Sequence, residues 1–483
     1  MRLAELLNPL LNWQSQLEVT GLSLDSRQIE LGNVFIALNG AKQHGMAHAA
    51  QAVERGAVAV IYEPEGWNGS LALNAELVPL SGLAKQLGFI AAKFYRQPSQ
   101  KLAVVGITGT NGKTSCSQLI AQALEDCGVI GTLGWGEVGQ LQPTFNTTPD
   151  ALAVQAMLQH FQVAGKTAVA MEVSSHGLEQ GRVNGVEFTG AVFTNFSRDH
   201  LDYHGSMEAY FQAKLALFDR AGLRYVVVNL DDAKSATLLS VIRPDTAIWT
   251  FSRQGRSWPN AKSLLAVNCE FDQHGIGFEI RLDQQIAKAF TPLVGAFNLE
   301  NVLAVLAVLL ASGTEFSEAI AKLANLKPIP GRMERFGNPN QPTVLVDYAH
   351  TPDALEKVLK SVKSSGQVWV VFGCGGNRDQ GKRPQMGQIA ETWADRVIIT
   401  DDNPRDEVPQ DIINQILAGC SSDKCQIIND RALAIATAIK QAQAQDWIVI
   451  AGKGHENYQE IHGIKWPFSD QDLVKQALAT WGQ

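Results

Sequence analysis

A chain of 483 residues is too long for one hydrophobic core and predicts about three domains. Its 45% hydrophobic and 18% charged residues describe an ordinary globular protein, and a formal net charge of −8 excludes nucleic acid or an anionic membrane as the main partner. The six cysteines, Cys116, Cys127, Cys269, Cys374, Cys420 and Cys425, make no CxxC pair or zinc-like spacing, so free thiols in a reducing, cytoplasmic compartment are expected.

The first ten residues, M-R-L-A-E-L-L-N-P-L, carry an early Glu5 and no long apolar core, so they do not read as a signal peptide. Gly32 to Leu38 reads as a turn and a strand, Ala47 to Gly56 as a helix, and Ala57 to Tyr62 as a buried strand. Ahead of them, Leu24-Asp25-Ser26-Arg27 is either an anion-binding loop or an Asp/Ser turn with a solvated arginine. An amphipathic helix over Leu83 to Tyr95 closes at Pro98, which places a boundary at residue 99.

Ala103 to Ser117, A-V-V-G-I-T-G-T-N-G-K-T-S-C-S, reads as an apolar strand, a tight turn and the start of a helix. Gly109, Thr110, Asn111 and Gly112 form a loop whose N–H groups, with the helix dipole behind them, suit polyphosphate. Lys113 supplies a cation for the β and γ phosphates, and the Thr114 hydroxyl can ligate Mg²⁺. The spacing between the glycines departs from the common phosphate-loop pattern, so the loop is a variant of it. The helix is expected over Ser115 to Cys127, with Gly128 as its C-terminal glycine. Asn146, Thr147 and Thr148 either face a sugar or phosphate ligand, or Thr148 caps a helix opened by Pro149.

The strand Thr167 to Val173 ends in Glu172, Ser174, Ser175 and His176, and the strand Gly190 to Asn195 runs out into Arg198, Asp199 and His200. Ligands of open parallel sheets collect beyond such carboxyl ends. Glu172 and His200 are candidate ligands of Mg²⁺ or Mn²⁺ there. Ser206 to Arg220 is expected to be helical, and Lys214 on it reads by itself as a snorkelling surface lysine. Gly295 to Asn301 opens an apolar helix; Val302 to Ala311, the longest apolar run, falls short of the ~20 residues that span a bilayer. Lys327-Pro328-Ile329-Pro330-Gly331-Arg332 is a Pro/Gly hinge, where a second boundary falls at residue 330.

Beyond it, strands at Thr343–Val346, Val368–Phe372, Arg396–Thr400 and Trp447–Ile450 each end in a polar or glycine-rich tail, without a complete GxGxxG. Arg378 and Arg405 can each grip a carboxylate with two parallel hydrogen bonds, and Glu456 can hold an ammonium group. An amino acid with a second amine and a distal carboxylate matches that set.

The motifs T-G-T-N-G-K-T, M-E-V-S-S-H-G-L, T-N-F-S-R-D-H-L-D-Y-H-G, G-A-F-N-L-E-N, D-Y-A-H-T-P and D-N-P-R, in this order along nearly the whole chain, closely resemble the Mur ligases. The resemblance implies an α/β protein of three domains: residues 1–99 holding a UDP-sugar, a central P-loop-type mononucleotide-binding α/β domain over 100–330, and a C-terminal Rossmann-like α/β domain over 331–483 that brings the amino acid. It implies an ATP-dependent, ADP-forming acid–amino-acid ligase of peptidoglycan precursor synthesis, serving cell-wall biogenesis, cell shape and division, and using Mg²⁺. Catalysis is assigned by the resemblance to Lys113, Glu172, His200 and Lys214, with Lys214 carbamylated to N6-carboxylysine and sharing the metal with Thr114, Glu172 and His200.

On the same grounds ATP falls to Gly109 through Thr114 with Asn298, Arg332 and Asp347. The UDP-sugar falls to Leu24, Ser26, Ala41, Lys42, Gln43, Asn146, Thr147, Thr148, Ser174, Gln180 and Arg182. Diaminopimelate falls to Arg378, Asp402, Asn403, Pro404, Arg405, Gly452 and Glu456; in the resembling ligases D-N-P-R marks diaminopimelate addition. The implied partners are small molecules only (ATP, a UDP-sugar dipeptide and meso-diaminopimelate), with no nucleic acid and no membrane, acting on a monomer. A lysine-adding or folyl-polyglutamate-type ligase, or a non-catalytic nucleotide-binding module, stands as the alternative.

Overall fold

The structure is a computed structural model, and it describes residues 1–482 apart from 41, 273, 363–365, 422 and 423. The chain forms two compact units: Met1–Thr108 with Leu124–Ala191 and Ala213–Arg224, and Gly109–Ala123 with Val192–Gln212 and Tyr225–Gln483.

The first unit begins with an all-parallel sheet, β1 (Gly21–Ser23), β2 (Asn33–Ala37), β3 (Ala59–Tyr62) and β4 (Glu76–Pro79), in that spatial order. β2 is buried along its whole length, as apolar strands covered on both faces are. The helix Leu83–Phe94 buries Leu83, Leu87 and Ile90 against this sheet, with Tyr95 as its C-cap. Next come β5 (Ala103–Thr108), β6 (Cys127–Gly131), β7 (Gly134–Glu137), β8 (Gln140–Gln142) and β9 (Ala168–Glu172). β9 lies between β5 and β6, parallel to both, and β7 and β8 extend the β6 side as an antiparallel meander.

Two expectations shift here. The helix after the phosphate loop spans Lys113–Ala123 rather than running to Cys127, and Gly128 lies inside β6 instead of capping a helix. Asp126 turns left-handed at φ 47° and launches the apolar strand. A Cβ on Gly128 would stand 2.5 Å from the Phe161 ring, so this glycine serves close packing. The helix expected over Ser206 to Arg220 covers only Met207–Leu215. Beyond it the backbone closes tighter turns, Lys214 to Leu217 and Leu215 to Phe218, which bury both Leu217 and Phe218.

β10 (Gly190–Phe193) lies at the division between the units. In the second unit, β11 (Tyr225–Asn229), β12 (Ala247–Ser252) and β13 (Lys262–Phe271) are parallel, and β14 (Ile276–Leu282) and β15 (Gln285–Thr291) continue from β13 antiparallel. The helix Ala296–Ala311 is apolar nearly all round and, apart from Glu300, buried from Leu299 to Leu309, as a core helix must be. It lies along the helix Lys113–Ala123.

The remaining strands are β16 (Glu334–Phe336), β17 (Thr343–Asp347), β18 (Val368–Phe372), β19 (Arg396–Ile399), β20 (Cys425–Ile427) and β21 (Trp447–Ala451), in the order β16-β17-β21-β18-β19-β20. All pairs but β16–β17 are parallel. Asp347 pairs with Ala451, Val371 with Ile450 and Phe372 with Ile399, so β17, β21, β18 and β19 end at one level. Their four tails therefore share one rim, as the sequence predicts. Two apolar clusters cover the sheet, one built around Leu345, Phe372 and Val449 and the other around Val344, Val371 and Ile450.

Candidate active site

The phosphate loop carries Gly109 at φ 150° and Gly112 at φ 85°, the backbone freedom its composition predicts. Thr110 N–H donates to Asn195 O (2.9 Å) and Asn111 N–H to Asn195 Oδ1 (2.9 Å), while Asn195 Nδ2 returns a bond to Asn111 O (3.1 Å). Lys113 Nζ lies over the loop, donating to Gly109 O (2.7 Å) and Thr110 O (2.8 Å). A Cβ on Gly112 would stand 2.7 Å from Asn301 Oδ1, and Asn301 Nδ2 donates to Asn298 Oδ1 (2.9 Å). Asn298 is thus linked to the loop's surroundings through Asn301. It does not cap its helix, whose N-cap is Gly295.

Arg332, expected to be a charge clamp, donates from NH2 to Thr114 Oγ (3.1 Å) with its guanidinium 4.3 Å above the Tyr348 ring, so it is not a merely solvated linker residue. Asp347 Oδ2 accepts from Met333 N–H (2.7 Å). Burial pushes the Asp347 carboxyl up, against the pull of Arg332 and the backbone donors of Met333 and Ala349. The His455 ring lies tilted against Tyr348, 5.2 Å between centroids; burial first, then the cations of Arg332 and Lys453, push it down to about 3, so it stays neutral in ordinary buffers.

His200 stands beside the buried Asp199, Nε2 to Oδ2 3.4 Å, with His350 on the same oxygen at 3.8 Å. Burial alone would raise Asp199. The hydrogen bond from His350 and the charges of His200, His350 and Lys382 prevail and hold it well below the usual carboxylate range.

In the first unit, Glu172 is fully buried. Its Oε1 accepts from Thr132 N–H (2.8 Å) and its Oε2 from Thr132 Oγ (3.0 Å), and Thr132 Oγ meets Thr147 Oγ at 3.0 Å. Gly131 makes room: a Cβ there would stand 2.1 Å from Glu172 Oε1. Thr148 does not cap the following helix; Asp150 does. Thr148 Oγ instead donates to Glu172 O (2.9 Å) and accepts from Ser174 N–H (2.9 Å). Arg182 NH1 donates to Thr148 O (2.8 Å), and its Nε and NH2 grip Gln180 Oε1 at 2.9 and 2.6 Å. Thr147, Thr148, Ser174, Gln180 and Arg182, expected to meet the UDP-sugar, therefore form one hydrogen-bonded set with Glu172, expected to meet the metal. Asn146 is exposed beside them.

Leu24 and Ser26 follow β1, and Lys42 and Gln43 follow β2, its parallel neighbour, so they share a second rim of this unit. Ala41 lies outside the described residues. Ser26 Oγ donates to Gln51 Oε1 (2.7 Å); Arg27 is exposed and paired with Asp25 (2.8 Å). Lys214 is 1% exposed, which overturns the surface reading of that residue.

On the C-terminal rim, Arg405 Nε donates to Glu460 Oε2 (3.1 Å) and NH1 to Gly376 O (2.8 Å). Arg378 is exposed and donates to Asn377 O (2.9 Å). Both arginines border Gly375: a Cβ there would stand 2.8 Å from Arg405 NH1 and 3.7 Å from Arg378 Cγ. Asn403 Nδ2 donates to Glu456 Oε2 (2.8 Å), and a Cβ on Gly452 would stand 2.5 Å from Asp402 Oδ2. Fully buried Lys453 ties the set, donating to Asn403 Oδ1 (2.9 Å) and Glu456 Oε2 (3.1 Å).

Three family profiles match in chain order: "Mur ligase family, catalytic domain" over residues 18–95, "Mur ligase middle domain" over 107–309, and "Mur ligase, glutamate ligase domain" over 331–454. The chain belongs to the Mur ligase family. A Mur ligase of Ectopseudomonas mendocina named UDP-N-acetylmuramoyl-L-alanyl-D-glutamate--2,6-diaminopimelate ligase is 49% identical, covering 97% of this chain and 96% of its own. A solved structure of a ligase of the same name is 37% identical with TM-score 0.69, covering 99% of each chain. The MurF ligase of Thermotoga maritima, solved in complex with ADP, shares the fold at 17% identity and TM-score 0.66, covering 96% of this chain and 98% of its own.

Several residues that hold the candidate site residues of this Mur ligase in place escape motif reading. Asn195 pins the loop, Thr132 orients Glu172, and Lys453 orients Glu456. Asn195 stands inside T-N-F-S-R-D-H, where its place at a strand end is the available signal; Thr132 and Lys453 carry none. As for a metal, no group of three or more His, Cys, Asp or Glu among the described residues could hold an ion by itself. An oxygen donor such as the Glu172 carboxylate nonetheless suits Mg²⁺, which keeps waters and substrate phosphates among its ligands. The buried Glu172 carboxylate, already held at both oxygens by Thr132, is oriented as a metal ligand must be.

Proposed function

We infer that this chain is the ATP-dependent, ADP-forming ligase that joins meso-diaminopimelate to UDP-N-acetylmuramoyl-L-alanyl-D-glutamate in peptidoglycan precursor synthesis. The observation that carries the reading is the 49% identity to a ligase of that name along 97% of the chain. The paired arginines beside Gly375 and the anchored Glu456 are consistent with an acceptor bearing a distal carboxylate and a second amine.

In this reading the D-glutamate γ-carboxylate attacks the γ-phosphorus of ATP. The bond to the β–γ bridging oxygen breaks, ADP leaves, and an acyl phosphate forms. The neutral amine of diaminopimelate then attacks the acyl carbon, the tetrahedral adduct loses inorganic phosphate, and the amine proton is released. The N–H groups of Gly109 to Gly112 and the Lys113 ammonium hold the β and γ phosphates, with Asn298, Arg332 and Asp347 completing the ATP set. Residues 1–99, with the set around Thr148 and Arg182, bind the UDP-sugar. Residues 331–483 bind the amino acid through Arg378, Asp402, Asn403, Pro404, Arg405, Gly452 and Glu456.

Thr114, Glu172, His200 and a carbamylated Lys214 would hold Mg²⁺, which when bound offsets charge on the transferring phosphoryl group. Carbamylation joins the neutral Lys214 amine to CO₂ with release of a proton, and the burial of Lys214 is the setting it requires. The protein is taken to act as a cytoplasmic monomer, an environment in which its six free cysteines stay reduced. No described helix is long and apolar enough to cross a membrane.

The test supplies the purified protein with the UDP-sugar dipeptide, ATP, Mg²⁺ and either diaminopimelate or lysine, and follows ADP and amide product. Diaminopimelate should yield one ADP per product, and Lys113→Ala should lower the rate at least about a hundredfold. Preference for lysine, or ADP release without amide product, would refute the reading.

A further inference from the structure

The two arginines of the acceptor rim stand on different loops, one after β18 and one after β19, and something must fix their spacing. Arg383, in the helix Lys382–Trp393, is fully buried. It meets Glu407 fork to fork, NH1 to Oε2 at 2.8 Å and NH2 to Oε1 at 3.0 Å. The same two terminal nitrogens also donate to Gln415 Oε1 (2.8 Å) and to the backbone carbonyl of Gly375 (3.1 Å), the residue both acceptor arginines border, while Nε lies buried without a hydrogen-bond partner. Glu407, two residues after Arg405, accepts the N–H of Asn377, the residue before Arg378, at 2.5 Å.

The same loops are joined twice more, once between backbones, where Gly376 N–H donates to Asn403 O (2.9 Å), and once from a side chain, where Arg405 NH1 donates to Gly376 O (2.8 Å). Asn377 and Arg405 both sit in the left-handed region at φ 52°, a conformation that side-chain-bearing residues hold only where surroundings impose it. Buried ion pairs generally add little net stability over apolar replacements of like volume. Geometry is the better reason for this one, because a planar guanidinium fork fixes direction as well as distance.

We propose that the Arg383–Glu407 pair is a positioning element of the acceptor site, setting the spacing of Arg378 and Arg405 so that they select an amino acid with a distal carboxylate. The inference rests on the ligase reading above and deepens it. Neither residue touches the substrate; each acts through the loops it ties.

The test uses the full chain with two substitutions. Glu407→Gln keeps the shape and an acceptor for Asn377 but removes the charge, and Arg383→Lys keeps the charge but removes the fork. Apparent KM is measured for diaminopimelate, lysine, ATP and the UDP-sugar dipeptide. Each variant should raise KM for diaminopimelate by about tenfold to a hundredfold and lower the preference over lysine by a similar factor. KM for ATP and for the UDP-sugar should stay within about twofold, since those residues lie on other elements. An unchanged preference, or a parallel rise of every KM, would overturn the proposal and leave the pair a purely structural contact. A parent protein that makes no diaminopimelate product would instead sink the ligase reading, so the two failures are distinct.

Discussion

Thr148→Val removes one hydroxyl and keeps the shape around it. That hydroxyl is fully buried; it donates to Glu172 O at 2.9 Å and accepts from Ser174 N–H at 2.9 Å. Valine offers neither bond, so two backbone groups lose their partner where water has little access. Leaving a buried polar group unpaired costs about 1–3 kcal/mol, and with Ser174 only partly buried the pair should cost about 3 kcal/mol together. At about 2–4 °C per kcal/mol for a domain of this size, the calorimetric transition that contains this segment should fall by about 6–12 °C. Thr148→Ser is the control: it keeps the hydroxyl and loses only a methyl group, about 1 kcal/mol. If valine were no more destabilising than serine, the hydroxyl would not be the anchor that the geometry makes it.

Arg431 and Asp470 are both fully buried and doubly bonded, Nε to Oδ1 and NH2 to Oδ2 at 2.8 Å each. Asp470→Asn should cost about 3–5 kcal/mol by leaving a buried guanidinium without its counter-charge, while an Arg431→Met, Asp470→Leu double variant should melt above either single one. Asp401 is pushed up to about 6, by burial first and then by the nearby Asp430 and Asp402. A carboxyl raised on folding stabilises below its unfolded value and loses that contribution as pH climbs to about 6. Asp401→Asn should therefore melt higher than the parent at pH 8, by about 1 kcal/mol once solvent screening is allowed for, and match it near pH 4. Equal shifts at both values would rule out this origin.

The sequence discloses most where a strand hands over to chemistry. The apolar β5 and the glycines after it announce the phosphate loop, and four apolar runs with polar tails announce the C-terminal rim. Both follow from local rules: β-branched residues make strands, and glycine alone is at ease at the φ of Gly112. What stays hidden depends on partners distant along the chain. Gly128 is in a helix-ending position by sequence, yet Phe161, thirty-three residues on, makes it a packing glycine. Thr148 and Pro149 look like a helix start, but Asp150 takes the cap and frees Thr148 to join Glu172 to Ser174. Lys214 sits in a helix too short to show a clear face, so its burial emerges only from the fold. Arg383 and Lys453 carry no motif at all; they are found by asking what holds Arg405 and Glu456 in place.

The claim at the centre is that a carboxylate is activated by phosphorylation before the amine attacks. With the D-glutamate γ-carboxylate of the UDP-sugar labelled with ¹⁸O at both oxygens, turnover with ATP and diaminopimelate should transfer one labelled oxygen to the inorganic phosphate. Mass spectrometry should then find a singly labelled phosphate for each amide formed. Phosphate free of label, with amide product still accumulating, would contradict the account.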